Sequence, residues 1–345
     1  MMVPAAPRCA PSCWRQRSWR AALLLPLAAP FRCVAAARRA LYQHDFLHRE
    51  RLPVPVIVVG NIAVGGSGKT PVVAWLVEIL RQAGRRPGIV SRGYGGAAEG
   101  IGKPLLVTAH ADPAMCGDEP VLLARLANCP VAVGRDRPAA ARALIAAHPE
   151  CDVIVADDGM QHYRLARTLE IAVVDEAVLG NCWPLPAGPL REPLSRLSEL
   201  DLVIAHGELS PAVRAAAGKV PIAPMTLAGE RFRSVTNPAE WRDAADFKGQ
   251  RVHAIAGIGR PERFFAQLAA MGIAAVPHPF PDHHAYTAAD LAFAPNEPKL
   301  MTGKDAVKCA AFAPPDAWEL PVRAVIGAEF VGPLLEKLDD GRQTA

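Results

Sequence analysis

No two cysteines in this chain are spaced C-x-x-C. The eight (Cys9, Cys13, Cys33, Cys116, Cys129, Cys151, Cys182 and Cys309) are scattered. A zinc site or a disulfide framework needs closer, paired spacing, so they read as reduced, mostly buried thiols. The apolar run near the start, Ala21 to Phe31, has eleven residues and is broken by Pro26 and Pro30. Crossing a bilayer takes ~20 apolar residues, which this run does not reach. No acid precedes Asp45, and no internal repeat is visible. The positive excess is confined as well. From Met1 to Arg51 nine arginines face two acids, which leaves 29 basic against 32 acidic residues in the remainder. A general nucleic-acid-binding surface has no support in that distribution.

What the chain does have is enough apolar material for a core. Its 345 residues are 51% hydrophobic and 21% charged, which suits about two domains. The organising stretch is Pro53 to Pro71, PVPVIVVGNIAVGGSGKTP. Val54, Val56, Ile57, Val58 and Val59 read as a strand buried on both faces, and an amphipathic helix is expected from Val72 to Ala83. Between them, Gly65, Gly66, Ser67 and Gly68 form a turn whose backbone N–H groups can face an anion. Lys69 would place a point charge between the outer phosphates of a nucleotide, and Thr70 a hydroxyl on magnesium. The loop departs from the usual Walker A pattern at Ala63, where its first glycine would stand. Val64 takes the place of the loop lysine found in some ATPases.

A second strand, Arg86 to Val90, runs into Ser91-Arg92-Gly93-Tyr94-Gly95-Gly96, a glycine-rich loop at a strand end, where open α/β sheets place ligands. Gly117-Asp118-Glu119-Pro120 precedes an apolar helix from Val121 to Ala127; acids there are also ordinary helix-start chemistry. After strand Val131 to Val133 and an alanine-rich helix to Ala147 comes Val153-Ile154-Val155-Ala156-Asp157-Asp158-Gly159. A buried strand ending in acids is the Walker B arrangement, a carboxylate beside the phosphate loop to hold magnesium. Further strands are expected at Ile171 to Asp175 and Leu202 to Ala205, with a stiff, proline-rich segment from Gly180 to Glu192 between them. The α/β rhythm lapses around Pro221 to Ser234. A second lobe then carries Gly257-Ile258-Gly259-Arg260-Pro261, Phe280-Pro281-Asp282-His283-His284 and Met301 to Lys308, with a last strand from Pro321 to Ile326.

Taken in order, VGN…GGSGKTP, SRGYGG, GDEP, DDGMQHYRL, LPAGPLRE, GIGRPERFF, DHH and MTGKDAVK closely resemble the tetraacyldisaccharide 4′-kinase family of lipid A biosynthesis. The resemblance covers about residues 53 to 310. It implies transfer of the γ-phosphate of ATP to the 4′-hydroxyl of an acylated glucosamine disaccharide 1-phosphate, at the cytoplasmic face of the bacterial inner membrane. By this resemblance Lys69 and Thr70 handle phosphates and magnesium, and Asp157 and Asp158 serve the metal. Asp118 works as a base assisted by His283. Glu119 and Glu192 are further acids near the metal, and Arg92, Tyr94, Gln161, His162, Arg164 and Arg191 face substrate or phosphate. Ala63 and Gly303 depart from the usual pattern. The longer N-terminus puts the true start, and residues 1 to 15, at issue.

The expected architecture is therefore α/β. A P-loop NTPase-like, mainly parallel sheet sandwiched by helices spans 51–225, and a smaller α/β lobe spans 226–345. A basic and apolar membrane-associating segment spans 1–50. The base and its assisting histidine fall in different lobes, so lobe closure is expected to assemble the site. The Ala21 to Phe31 run, flanked by arginines, fits an interfacial anchor; a signal peptide, a transit peptide and a buried N-terminal helix are the other readings. No obligate protein partner is evident. The competing functions are a P-loop ATPase or GTPase that drives a protein partner, and a nucleotide-binding scaffold without turnover.

Overall fold

The apolar run ahead of the glycine loop forms strand β1, Val56–Gly60, buried along its whole length. In the computed structural model, which describes residues 11–343, the same pattern recurs down the chain. Next come β2 (Pro87–Ser91), β3 (Leu105–Val107), β4 (Val131–Val133), β5 (Val153–Asp157), β6 (Leu169–Val174), β7 (Leu202–His206) and β8 (Ile222–Ala228). They are followed by β9 (Arg231–Ser234), β10 (Trp241–Asp243), β11 (Val252–Ala256), β12 (Ala275–Pro279), β13 (Lys299–Thr302), β14 (Ala317–Leu320) and β15 (Arg323–Ile326). Seven helices frame the argument: α1 (Leu25–Gln43), α2 (Lys69–Gln82), α3 (Asp118–Ala127), α4 (Arg137–Ala147), α5 (Pro261–Ala270), α6 (Gly303–Cys309) and α7 (Val331–Gln343). The question of the true start, and Cys9, lie outside the described residues.

The first unit is built on a nine-stranded sheet ordered β15-β8-β7-β6-β1-β5-β2-β4-β3. β1 sits between β5 and β6 and is parallel to both, whereas β3 runs antiparallel at one edge. Strands β1, β2 and β5 are buried throughout, which accounts for their uncharged β-branched sequences. The register pairs Val59 with Asp157, so the glycine loop after β1 and the acidic pair after β5 leave the sheet at the same edge. Helix α2 starts at Lys69, earlier than the apolar pattern suggests, because the left-handed Gly68 (φ 90°) turns the chain directly into it. Helix α3 likewise starts at Asp118 rather than Val121; its acids belong to the first turn, where the helix dipole favours them.

The second unit spans Ala228–Arg323. Its six-stranded sheet is ordered β10-β9-β14-β13-β11-β12, with β11 to β14 parallel and β9 antiparallel to β14 and β10. Phe232, Phe247 and Trp318 centre its core, with the Phe232 and Phe247 rings edge to face at 4.8 Å.

Beyond Arg323 the chain returns to the first unit, so the second is shorter than the 226–345 lobe expected from the sequence. β15 pairs beside β8 and covers what would otherwise be an open strand edge. Helix α7 then buries Leu334 and Leu338, four residues apart on one face, and Lys337 Nζ lies 2.9 Å from Asp201 Oδ1. Leu338→Ala should therefore destabilise the first unit by about 2–4 kcal/mol. A denaturation midpoint equal to that of the unaltered chain would show that α7 adds nothing.

Candidate active site

The loop after β1 is pinned from below. Asn61, fully buried, accepts the Ala63 N–H on Oδ1 at 3.2 Å, and the Ser67 carbonyl lies 3.2 Å from His206 Nδ1. A Cβ on Gly68 would come within 3.1 Å of that same histidine nitrogen, so space as well as backbone angle demands glycine there. The buried Ser67 hydroxyl has no partner among the described residues, and Thr70 is buried in the first turn of α2. The N-terminal end of a helix, a run of backbone N–H groups and two hydroxyls thus meet at one place, as an anion site requires.

Charge is arranged around Asp158. Its Oδ1 lies 3.4 Å from Lys69 Nζ and its Oδ2 lies 3.4 Å from Arg191 Nη1, so two cations converge on one carboxylate. Burial works against that charge, but Lys69 and then Arg191 outweigh it and hold Asp158 at about 2. Its neighbour Asp157 behaves oppositely. Burial, then the charges of Glu119 and Asp158, push it up to about 7, although Lys69 and a hydrogen bond from Ser91 Oγ (3.0 Å) draw it down. Asp157 Oδ1 is buried without a hydrogen-bond partner among the described residues. An orphaned carboxylate oxygen beside crowded acids is a place where a hard cation fits. The donors on hand, Thr70, Asp157, Asp158 and Glu119, are all oxygens. Among the described residues no group of three or more His, Cys, Asp or Glu side chains is arranged to hold a metal ion.

Asp118 is buried at the start of α3, with Oδ1 accepting the Glu119 N–H at 2.9 Å. The SRGYGG loop sets this helix start, since a Cβ on Gly96 would lie 2.5 Å from Gly117 N and from Met115 O. Gln161 is a hub: Nε2 donates to Asn61 O (3.1 Å) and Glu192 Oε1 (2.7 Å), and Oε1 accepts from Arg191 Nη1 (3.2 Å). His162 is pushed down to about 4 by burial and then Arg137, so its ring is neutral.

Of the other expected residues, two arginines hold acids in this structure. Arg92 pairs with Glu99 at 2.6 Å, and Tyr94 is exposed on the same loop. Arg164 bridges Asp136 (2.8 Å) and Glu50 (3.2 Å) on the surface. His283 belongs to the second unit. Three residues not singled out from the sequence also matter. Ser91 bonds Asp157, and Asn61 supports the loop. Arg137, 3% exposed, lies close enough to Asp157 and Asp158 for their charges to bear on it. In the sequence, Arg137 is marked only by its place at the start of the alanine-rich helix, which Asp136 caps in the structure.

Both oxygens of Glu192 are occupied: Oε1 accepts from Gln161 and Oε2 from Arg196 Nε at 3.2 Å. Arg196 is itself 3% exposed, so the expected metal contact of Glu192 would have to share an oxygen already holding a buried partner. The geometry gives Glu192 the task of fixing Gln161, and through it Arg191. Glu192→Gln should lower turnover about tenfold or more while the magnesium half-saturation stays within about twofold. A large rise in the magnesium requirement would return Glu192 to the metal.

The chain is similar to known proteins over most of its length. The family described as tetraacyldisaccharide-1-P 4′-kinase (LpxK) matches residues 20–339. A relative named tetraacyldisaccharide 4′-kinase from Azoarcus sp. (strain BH72) is 65% identical over 339 residues, covering 97% of each chain. Another of the same name, from Aromatoleum aromaticum, is 62% identical over 338 residues, covering 98% of this chain and 99% of the relative. The crystal structure of the "apo" form of LpxK from Aquifex aeolicus in complex with ATP superposes with a TM-score of 0.78 at 27% identity, covering 92% of this chain and 99% of that one. This chain belongs to the tetraacyldisaccharide 4′-kinase family.

Proposed function

We propose that this protein transfers the γ-phosphate of ATP to the 4′-hydroxyl of a tetraacylated glucosamine disaccharide 1-phosphate, a step of lipid A assembly. The observation that carries the reading is the convergence of Lys69 and Arg191 on Asp158 beside the buried Asp157, in a chain of this family. Phosphoryl transfer to an alcohol needs positioning, charge stabilisation and a late proton acceptor. Lys69 and the loop amides hold the outer phosphates of ATP. Arg191, steadied by Gln161 and Glu192, sets a second cation where charge gathers on the transferred group. Asp118 accepts the proton of the 4′-hydroxyl, and by the family resemblance His283 assists the transfer. Thr70, Asp157, Asp158 and Glu119 would hold magnesium, which neutralises phosphate charge when bound.

The acceptor is a lipid, and the N-terminal helix suits work at a lipid surface. Among the described residues no helix is long and apolar enough to cross a membrane. Helix α1 instead turns its small Ala28 inward and exposes Leu27 (60%), Phe31 (36%), Val34 (68%) and Leu41 (42%) along one helical stripe. An exposed apolar stripe on an arginine-bearing helix fits the headgroup layer of an anionic membrane, here the cytoplasmic face of the inner membrane. Contacts that hold this segment to the core include the hydrogen bond from Trp14 Nε1 to Pro186 O at 2.9 Å and the pair of Arg39 with Glu199.

Incubation with labelled ATP, magnesium and the disaccharide 1-phosphate lipid in detergent should move label into the lipid, whereas label found only as free phosphate would overturn the kinase reading. Asp118→Asn is expected to cut turnover by about 10²–10⁴ while ATP affinity changes little; full turnover would remove Asp118 from the chemistry. Leu27→Glu with Val34→Glu should lower sedimentation with anionic vesicles about tenfold or more without changing the melting midpoint. Unchanged sedimentation would remove α1 from the membrane contact.

A further inference from the structure

Two motifs of the second unit, GIG at residues 257–259 and the Thr302 to Lys308 segment, have no task in the reaction as described so far. The structure ties both to the loop that carries His283. Asp305, fully buried at the start of α6, accepts the Gly257 N–H (3.1 Å) and the Thr302 hydroxyl (2.6 Å) on Oδ2. Its Oδ1 accepts the Tyr286 hydroxyl at 3.2 Å and lies 3.1 Å from Lys308 Nζ. One carboxylate thus gathers the end of β11, the start of α6 and a residue three positions past His283. Burial, and then the Asp305 carboxylate, keep the Tyr286 phenol protonated and therefore a donor.

The fit is closest at Gly257. A Cβ on Gly257 would lie 2.6 Å from the Tyr286 hydroxyl oxygen and 3.2 Å from Pro281 O, and one on Gly259 would lie 3.3 Å from Asp282 Oδ2. Within the loop, Phe280 N donates to Ala256 O at 2.8 Å. The His284 ring packs 4.7 Å from Phe280 and edge-on to Tyr286 at 4.8 Å, with Nε2 3.4 Å from Asp290 Oδ2. Of the two adjacent histidines, His284 is thus built into the loop. His283 takes the left-handed conformation (φ 58°) and keeps its side chain 38% exposed.

We propose that Asp305 and Tyr286 are positioning residues for the phosphoryl transfer, locking the Phe280 to Tyr286 loop against the GIG turn so that His283 is presented in one orientation. This rests on the reading of His283 as a participant in the transfer. Non-additivity is what a merely structural role would not show, so a double-mutant cycle separates the possibilities.

His283→Ala should lower kcat about 100-fold. Tyr286→Phe, which removes one hydroxyl and leaves the ring packing in place, should lower kcat about tenfold with KM for ATP unchanged. The double variant should be no slower than His283→Ala alone, and Asp305→Asn should behave as Tyr286→Phe does if it folds. Should His283→Ala keep full turnover, the reading of His283 falls and the proposal with it. Should His283→Ala be impaired while Tyr286→Phe is not, or should the two losses multiply in the double variant, the proposal alone is overturned.

Discussion

Two adjacent carboxylates at the end of a buried strand cannot share one fate. Asp158, facing Lys69 and Arg191, is held ionised, and Asp157, one residue back inside the sheet, is driven toward its neutral form by burial and by Glu119. That division organises the first unit. The charged member pairs with two cations at the mouth of the glycine loop, and the frustrated member keeps one oxygen without a hydrogen-bond partner among the described residues. Everything behind them serves to hold this arrangement: Ser91 on Asp157, Gln161 on Arg191, Glu192 on Gln161, and the buried Arg196 on Glu192. A buried network of charged and polar groups of this kind is costly wherever a member goes unpartnered.

The second unit applies similar logic to different ends. Asp305 is a buried acid in the first turn of the helix that follows a parallel strand, but its partners are donors of its own unit rather than the groups of a nucleotide site. The same residue type therefore sets charge in one unit and loop shape in the other. What distinguishes them is whether the acceptors are satisfied. Asp157 retains an unused oxygen, whereas both oxygens of Asp305 accept protein donors.

Much of this was legible in the sequence because local chemistry dictated it. An uncharged β-branched run has few places to go but a sheet interior, and β1 and β5 fall within a residue or two of the apolar runs that mark them. The phosphate loop was readable because glycine, lysine and threonine in that order have few other uses. Pairings were not readable, since a side chain's partner is decided by tertiary neighbours. Arg164 and Arg92 sit in motifs but bind Asp136, Glu50 and Glu99. Arg137 lies beside the acids with no sequence mark beyond a helix start. The last strand was visible as a strand, but nothing local records which sheet it joins.

That last strand has a consequence for how the protein comes into being. With β15 and α7 belonging to the first unit, the second unit is an insertion, its residues made on the ribosome before the first sheet has its ninth strand. The nucleotide-binding half therefore cannot finish during synthesis, even though its phosphate loop and acidic pair have long since emerged. It must wait, with the outer edge of β8 unpaired, until the intervening ninety-odd residues have been made. A smaller unit that folds promptly on its own would shorten the distance the late-arriving strand has to search, which gives its compact aromatic core a use during biogenesis as well as afterwards.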